Sequence, residues 1–279
     1  MTMTFNRALV TGASGGIGAG FARALAAAGT EVVLVARRRD RLAELAEELE
    51  QLHQVSVEVM PTDLADSAAI DPVIQRLADS DRPVDLLVNN AGQLTNGPFA
   101  ELPLAGELQQ IQVNVIAPMR LTHAALPGMI KRRHGGVINV SSIGGEAPSA
   151  YGAGYCGSKA FLTLFSQSLA IDVKRHGVHV TALLPGFTWS GDRRDLSPDA
   201  AISRRAVQEP DRVAREALVA VAAGRALCVP GLRNKRAVAI GRMVPRRVMN
   251  AVLASVNATI SAAPQGPPGT ARPQDHPTS

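Results

Sequence analysis

Residues 7–29, RALVTGASGGIGAGFARALAAAG, place a short apolar run before a glycine-rich turn and an alanine-rich stretch. The apolar run is typical of a buried β-strand, and the alanine-rich stretch has the composition of a helix. Five further apolar runs of strand length follow along the chain: EVVLVA, VSVEVM, VDLLVN, GVINVS and VHVTALL. The sequence therefore opens with a strand, a turn and a helix, and the strand pattern recurs.

Helical patterns separate these runs, and they end at Gly, Pro or basic residues. They are FARALAAAG, DRLAELAEELEQL, SAAIDPVIQRLA, residues 103–130 and FLTLFSQSLAIDVKRHG, and LCVP after the helical DRVAREALVAVAAG is a candidate seventh strand. Strands and helices in alternation imply a parallel sheet covered on both faces by right-handed crossovers. We predict an α/β fold, a doubly wound parallel sheet of about seven strands (Rossmann fold), in a single domain with a C-terminal helical appendage.

The turn TGASGGIG, residues 11–18, allows two functional interpretations. Gly12, Ser14 and Gly16 fit the G-x-S-x-G of a hydrolase nucleophile elbow, which also lies between a strand and a helix. Gly12, Gly16 and Gly18 alternatively form a cradle for the pyrophosphate of a dinucleotide. An elbow usually follows an oxyanion-hole loop, and no such loop precedes the first strand here. The cradle fits better, although a glycine-rich match alone also fits a merely structural turn.

Three arginines after the second predicted strand, Arg37 to Arg39, indicate which dinucleotide such a cradle would hold. An acidic side chain at this place, roughly 20 residues after the turn, would bind the ribose hydroxyls of NAD. A guanidinium instead pairs with a 2′-phosphate, which a carboxylate would repel. The pattern favours NADP(H). The alternative is that the arginines are a solvated start to the next helix, as we expect for at least Arg39.

Polar clusters follow the ends of five predicted strands. They are Thr11–Gly18, Asp63-Leu64, residues 89–92, Ser141-Ser142 and residues 185–188. Ligands of such sheets bind outside the carboxyl ends of the strands. We therefore expect these distant parts of the sequence to meet along one rim.

The stretch YGAGYCGSKA contains a tyrosine and a lysine, Tyr155 and Lys159, on one face of a predicted helix. Half-ionising a tyrosine near pH 7 costs about 4 kcal/mol, because its ordinary pKa is near 10. An ammonium group ~4 Å away supplies about that much at an effective dielectric constant of ~20. Desolvation opposes the shift, so further help would be needed, and an oxidised nicotinamide ring would add positive charge. Y-x-x-x-K by itself is common, and most such pairs are ordinary helix surface.

Seven motifs occur in order within residues 5–230. They are Thr11-Gly12-x-x-x-Gly16-x-Gly18, Asp63-Leu64, Asn89-Asn90-Ala91-Gly92, Asn114, Ser142, Tyr155-x-x-x-Lys159 and Pro185-Gly186. In this order the set resembles the short-chain dehydrogenase/reductase family, in its compact one-domain, NADP-preferring branch.

The resemblance implies a role for each matching residue. Tyr155 would be the general acid in reduction and the base in oxidation, and Lys159 would lower the tyrosine pKa and hold the nicotinamide ribose. Ser142 would hydrogen-bond the substrate oxygen, and Asn114 would relay protons through water to the lysine. Implied contacts with NADP(H) are Gly12, Ser14, Gly16, Ile17 and Gly18 at the pyrophosphate, Arg37 at the 2′-phosphate, Asp63 and Leu64 at the adenine, Asn90, Ala91 and Gly92 at the ribose, and Pro185, Gly186 and Thr188 at the nicotinamide amide, with Tyr155 and Lys159.

The resemblance thus implies an NADPH-dependent oxidoreductase of the carbonyl reductase or alcohol dehydrogenase type, which needs no metal. It would transfer a hydride between nicotinamide C4 and a small-molecule carbonyl or secondary alcohol. The alternative from another class is a sensor or scaffold protein that binds NADP without turnover. A homodimer or homotetramer is expected, formed through the long helices at 103–130 and 153–176. Residues 189–210 lie where the family places a substrate lid, and a solvated charged loop is the alternative there.

The charge distribution separates the C-terminal segment from the rest of the chain. The net charge is +5, and residues 233–279 hold seven basic residues and one acid, which leaves 22 basic and 23 acidic residues before them. A nucleic-acid partner is therefore poorly supported. We predict a catalytic domain at 1–232, a basic amphipathic segment at 233–262 and a disordered tail at 263–279.

Two cysteines and no evident leader suggest a reduced, cytoplasmic protein. In the basic segment, Val244, Val248, Val252, Val256 and Ile260 recur every four residues. Such a stripe fits a helix on an anionic membrane surface, so that residues 241–262 would make a peripheral membrane contact. The alternative is that the stripe packs on the domain or on a partner subunit.

Overall fold

The computed structural model describes residues 3–188, 207–244 and 247 of the 279-residue chain. Within these residues, seven strands form one sheet in which all neighbouring strands are parallel. They are β1 (Arg7–Thr11), β2 (Glu31–Ala36), β3 (Val57–Pro61), β4 (Leu86–Asn89), β5 (Gly135–Val140), β6 (Val178–Leu183) and β7 (Leu227–Cys228). The predicted α/β fold with a parallel seven-stranded sheet is confirmed.

The helices of the described residues lie between these strands and after the last one. They are α1 (Gly16–Ala26), α2 (Arg39–His53), α3 (Asp71–Ala78), α4 (Leu104–Ile111), α5 (Ala117–Arg132), α6 (Ala153–Val173), α7 (Pro210–Ala222) and α8 (Leu232–Met243). A π-helical turn, Gln112–Ile116, joins α4 to α5. The predicted helical segment at 103–130 is thus two α-helices with one wide turn between them.

The strand order is β3-β2-β1-β4-β5-β6-β7. The chain forms β1, β2 and β3 from the centre of the sheet toward one edge. It then returns to the centre through α3 and forms β4 to β7 toward the other edge. Strand order therefore reverses between β1 and β4, and a crevice opens at their carboxyl ends. In open α/β sheets this crevice is where ligands bind.

Alternate residues of β1 enter the cores on opposite faces of the sheet. Ala8 and Val10 pack in one cluster with Phe21 of α1, and Leu9 packs in the other with Leu121 of α5. Both clusters are fully enclosed, which explains why the strands read as continuous apolar runs. The sheet is a rigid platform for loops at its carboxyl edge.

Helix α8 extends the packed domain past the boundary predicted at residue 232. Val238 of α8 is buried against Ala182, Leu184 and Val229. Residues 233–243 of the predicted C-terminal helical appendage therefore pack on the domain through Val238. The remainder of the predicted membrane-contacting helix and the tail at 263–279 lie outside the described residues, as does most of the predicted lid segment.

No helix in the described part of the chain combines the length and apolar character needed to cross a membrane. Within residues 3–188 and 207–244, no three His, Cys, Asp or Glu side chains form a group that could hold a metal ion.

Candidate active site

The glycine turn after β1 brings two loops of backbone closer than side chains would permit. Gly12 has a φ of 66°, and a Cβ there would lie 2.9 Å from the Cα of Ala91. A Cβ on Gly18 would lie 2.2 Å from the carbonyl oxygen of Gly12. Both glycines are required by close backbone approach, as a cradle needs.

Hydrogen bonds fasten this turn to the loop after β4. The Thr11 hydroxyl accepts the backbone N–H groups of Asn90 at 2.9 Å and Ala91 at 3.0 Å. The Asn90 side-chain amide donates to the carbonyl oxygens of Thr11 at 2.8 Å and Gly12 at 3.2 Å. The turn after β1 and the loop after β4 therefore hold each other in place. Thr11 was predicted only as part of the glycine motif, and its hydroxyl has this further structural role.

The first turn of α1 points its free N–H groups at the same place. Gly15 precedes the helix and provides no side-chain cap, so no side chain occupies the N-terminus. The first helical residues, Gly16, Ile17 and Gly18, have N–H groups without partners inside the helix. A helix N-terminus left open beside a glycine turn favours an anion such as phosphate.

Arginine contacts the glycine turn through Arg38. Its guanidinium donates to the backbone oxygen of Ser14 at 3.1 Å and to the Ser14 hydroxyl at 3.2 Å. Arg37, the residue predicted to hold a 2′-phosphate, is exposed just after β2, and Arg39 is the exposed first residue of α2. Among the three predicted arginines, it is therefore Arg38 that hydrogen-bonds to the glycine turn.

The residues after β3 reach the same edge of the sheet. Leu64 is buried, and the Asp63 carboxylate accepts the N–H of Ala65 at 3.0 Å. The carboxylate therefore closes a short turn that sets the course of this loop beside the end of β2.

Lys159 lies inside the protein, with a 4% exposed side chain on α6. Its ammonium donates to the Val140 carbonyl oxygen at 2.8 Å, and burial lowers its pKa to about 8. A Cβ on Gly92 would lie 3.4 Å from Nζ and 3.6 Å from the Asn114 side-chain oxygen. The hydrogen bond to Val140 uses one of the three N–H donors of the Lys159 ammonium. The loop after β4 passes directly beside this ammonium.

The pKa of Tyr155 is shifted upward, in the opposite direction to that of Lys159. Burial raises its pKa, while a side-chain hydrogen bond with Ser142 lowers it and nearby Cys156 raises it slightly. Lys159 Nζ lies 5.8 Å from the centre of the tyrosine ring and is bonded to Val140. Burial is therefore the largest effect on the Tyr155 pKa here, and the Lys159 ammonium is directed at the strand.

Ser142 faces Tyr155 from the end of β5. Its hydroxyl caps a short 3₁₀ turn by accepting the Gly144 N–H at 3.0 Å, and it hydrogen-bonds with the tyrosine. The neighbouring Ser141 instead bonds to the Lys159 carbonyl oxygen at 2.7 Å and to Thr163, inside the core. The two neighbouring side chains thus point in different directions: Ser141 faces the core and Ser142 faces the tyrosine.

Asn114 sits in the π-helical turn and is completely buried. Its amide accepts the N–H of Gln93 at 2.9 Å and donates to the Gln93 carbonyl oxygen at 2.9 Å and the Ser158 hydroxyl at 3.1 Å. The wide turn turns this side chain out of the helix toward α6. Asn114 therefore joins the loop after β4 to the helix that carries Lys159.

The segment after β6 completes the rim. The Pro185 carbonyl oxygen accepts the Ile143 N–H at 3.1 Å, next to Ser142. Gly186 donates its N–H to Gln208 at 3.2 Å, and the Thr188 hydroxyl donates to the Gly186 carbonyl oxygen at 3.0 Å. The predicted nicotinamide segment therefore lies against the loop that carries the serine.

The predicted site residues thus lie along one edge of the sheet. Tyr155 and Ser142 are in direct contact, and Lys159 and Asn114 converge on Gly92. Gln208 and Asn234, which hold Gly186, were missed because nothing in their local sequence marks them. The group can donate a proton from a tyrosine, orient an oxygen with a serine, and bind hydroxyls with a buried ammonium.

The chain belongs to the short chain dehydrogenase family, whose sequence profile matches residues 6–201. Over 187 residues it is 40% identical to "Very-long-chain 3-oxoacyl-CoA reductase" of Laccaria bicolor, which covers 66% of this chain and 55% of that protein. It is 39% identical over 181 residues to "Sulfoacetaldehyde reductase 2" of Chromohalobacter salexigens, covering 64% of this chain and 71% of that protein. The match spans little more than half the length of the Laccaria protein.

Two solved structures have the same fold over nearly the whole chain. A short-chain dehydrogenase from Sphingobium yanoikuyae, in complex with NADPH, has a TM-score of 0.72 and 29% identity, covering 95% of this chain and 98% of that chain. The bulky-bulky ketone specific alcohol dehydrogenase from Comamonas testosteroni has a TM-score of 0.74 and 28% identity, covering 93% and 95%. These neighbours confirm the assignment of the fold.

Proposed function

We propose that the protein is an NADPH-dependent oxidoreductase that interconverts a small-molecule carbonyl and a secondary alcohol. The observation that carries this proposal is the contact between Tyr155 and Ser142 beside the buried Lys159, at the strand ends that also bear the glycine turn. The reductases and the NADPH complex among the similar proteins support the same reaction class.

The crevice fits a dinucleotide. Gly12 and Gly18 let the turn after β1 pack directly on the loop after β4, and α1 begins beside this turn without a side-chain cap. The pyrophosphate would be held by Gly12, Ser14, Gly16, Ile17 and Gly18, and the 2′-phosphate by Arg37 and Arg38. The adenine would lie against Asp63 and Leu64, and the ribose against Asn90, Ala91 and Gly92. The nicotinamide would contact Pro185, Gly186 and Thr188. The two remaining N–H donors of Lys159 suit ribose hydroxyls, because a buried ammonium with one acceptor is under-satisfied.

When bound, NADPH supplies the hydride that is added to the carbonyl carbon. Tyr155 donates its phenolic proton to the carbonyl oxygen, so one hydride and one proton give the alcohol. The raised pKa keeps the tyrosine protonated before this step, as an acid in the reducing direction requires. Ser142 donates a second hydrogen bond to the same oxygen and stabilises the negative charge that develops there.

Lys159 and Asn114 serve the replacement of the proton that Tyr155 gives to the substrate. The ammonium form of Lys159, with a pKa of about 8, can donate a proton to the tyrosinate and is then recharged from solvent. Asn114 holds the Gln93 backbone next to this amine. In reduction the replacement proton would therefore pass from the loop after β4, past Lys159, to Tyr155.

Tyr155→Phe tests the proposal. The phenyl ring retains the packing of α6 but has no proton to give, so oxidation of NADPH by a panel of ketones, aldehydes and acyl thioesters is expected to fall at least about 10²-fold. Binding of NADPH, followed by its fluorescence, is expected to change little. Wild-type rates in the variant, or no turnover of any carbonyl by the wild-type protein, would refute the assignment.

We also propose that a second copy of the chain covers the outer faces of α4, α5 and α6. Large apolar side chains lie exposed there: Leu104, Leu108, Ile116, Met119, Phe161, Leu164 and Ile171. Such a patch is unusual on a monomer and is typical of an interface. Leu164, at 67% exposure, is the test position: Leu164→Asp is expected to convert the oligomer to a monomer in sedimentation velocity, while wild-type protein that sediments as a monomer would overturn the proposal.

A further inference from the structure

Helix α8 presents one face to the rest of the domain. Asn234, Val238 and Arg242 follow one another at four-residue intervals, so their side chains lie on the same side of the helix. The three contact different parts of the rim of the candidate active site. The helix therefore spans about 12 Å between its first and last contact, at 1.5 Å per residue.

The first contact is an amide cluster around Gly186. The Asn234 side-chain amide donates to the Gln208 side-chain oxygen at 3.0 Å and to the Pro230 carbonyl oxygen at 3.2 Å. The same Gln208 oxygen accepts the N–H of Gly186 at 3.2 Å. A Cβ on Gly186 would lie 2.5 Å from the Asn234 nitrogen, so the loop and the helix touch directly. The orientation of Gly186 therefore depends on α8.

The last contact is an ion pair with the loop that carries Ser142. Arg242 Nε lies 2.9 Å from the Glu146 carboxylate, across 96 residues of sequence. The Glu146 side chain is only 16% exposed, and its backbone N–H donates to Ile143 at the close of the 3₁₀ turn. The arginine therefore holds the far end of the turn that Ser142 begins.

Apolar packing joins these two contacts. Val238 is buried against Leu184, and Ile143 packs against the same cluster. Leu184 directly precedes Pro185, and Ile143 directly follows Ser142. One helix thus backs both loops, with an amide at one end and a guanidinium at the other.

We propose that Asn234 and Arg242 are positioning residues, through which α8 fixes the loops of Gly186 and Ser142 relative to Tyr155. The proposal rests on the function proposed above, because that function gives the two loops their roles. The Glu146 carboxylate is largely buried and Arg242 is half exposed, and we assign the effect of their ion pair to the geometry of the Ser142 loop. Misplacing a catalytic group by about 1 Å can cost about 10²-fold in rate.

The test uses Arg242→Gln and Asn234→Asp in the full chain, with Arg236→Gln as control. Arg236 lies on the exposed side of the same helix, so its variant loses the same charge without touching either loop. Arg242→Gln is expected to lower kcat about tenfold with an unchanged KM for NADPH, since it frees the Ser142 loop. Asn234→Asp places an oxygen against two acceptors and is expected to raise the KM for NADPH about tenfold.

Charge reversal separates positioning from general destabilisation. The double variant Arg242→Glu with Glu146→Arg restores an ion pair and is expected to recover most of kcat, while each single reversal does not. Wild-type kcat and KM in both Arg242→Gln and Asn234→Asp would overturn the proposal. Equal losses in the Arg236→Gln control would do the same.

Amide hydrogen exchange tests the positioning by α8 without any measurement of enzyme activity. Exchange in residues 142–146 is expected to be faster in Arg242→Gln, and exchange at residues 186–187 faster in Asn234→Asp, than in wild type or Arg236→Gln. Unchanged exchange in both variants would overturn it. Wild-type protein that turns over no carbonyl would refute the proposed function instead, and the exchange result would still stand for or against the positioning by α8.

Discussion

Lys159→Met is expected to remove a contribution by which Lys159 stabilises the folded chain more at about pH 9.5 than at about pH 7. Burial lowers the pKa of Lys159 from its usual 10.5 to about 8. Below pH 8 the lysine is charged in both the folded and the unfolded chain, and the folded chain bears the whole cost of burying that charge. Between pH 8 and 10.5 the folded chain has released a proton that the unfolded chain still binds, so stability rises with pH.

The size of the effect follows from the shift. At about 1.4 kcal/mol per pKa unit, the buried charge costs about 3 kcal/mol near pH 7. Roughly 2 kcal/mol of this is regained by pH 9.5. Groups whose pKa is raised by burial act in the opposite sense: Cys156 and Cys228 offset part of this gain inside the window, and Tyr155 acts only as the pH passes about 10. These three groups are the same in wild type and in the variant, so their effect cancels when the two proteins are compared. Methionine has a similar shape and no proton to release, so its variant lacks the gain.

Urea unfolding at the two pH values measures the difference, without added cofactor. Lys131→Met, at an exposed lysine of α5, is the matched control and is expected to keep the wild-type difference. The loss of the hydrogen bond to Val140 lowers the stability of Lys159→Met equally at both pH values, so it cancels. A change of stability between the two pH values that is the same in wild type and in Lys159→Met would refute the reasoning.

Two further outcomes are expected from single side chains. Gly18→Ala should lower the free energy of unfolding by about 1–3 kcal/mol or more, because its Cβ would meet the Gly12 carbonyl oxygen at 2.2 Å. Gly157→Ala on α6, with nothing within 4 Å, should raise it by up to about 1 kcal/mol; equal effects of the two would contradict the role given to the cradle. Replacing Arg37 and Arg38 together by Gln should raise the KM for NADPH by about 10- to 100-fold and leave the KM for NADH nearly unchanged, and a parallel rise for both coenzymes would remove the 2′-phosphate assignment.

The strands were predictable because each is a buried apolar run between turn residues. RALVT and EVVLVA match β1 and β2 residue for residue. The start of α6 at Ala153 agrees with the helix predicted at 153–176, although the apolar spacing begins only at Phe161. Residues 153–160, AGYCGSKA, have no apolar stripe of their own, and they pack against the turn after β5.

The site was predictable as a set of residue types, and less so as a geometry. The motifs located Asn114, Ser142, Tyr155 and Lys159, which the structure places along one edge. The π-helical turn at Asn114 could not be predicted, because it depends on bonds to Gln93 and Ser158 far away in sequence. The direction of the tyrosine pKa shift likewise depends on burial, which a spacing of four residues does not reveal.

Transfer of deuterium from labelled coenzyme tests the central claim most directly. With NADPH carrying deuterium at nicotinamide C4, on each face in turn, and an accepted carbonyl, mass spectrometry of the alcohol is expected to find the label on the carbinol carbon from one face only. Tyr155→Phe, bound to the same coenzyme, is expected to yield almost no labelled alcohol. Alcohol formed without the label, or labelled alcohol formed at the wild-type rate by the Phe variant, would contradict hydride transfer assisted by Tyr155.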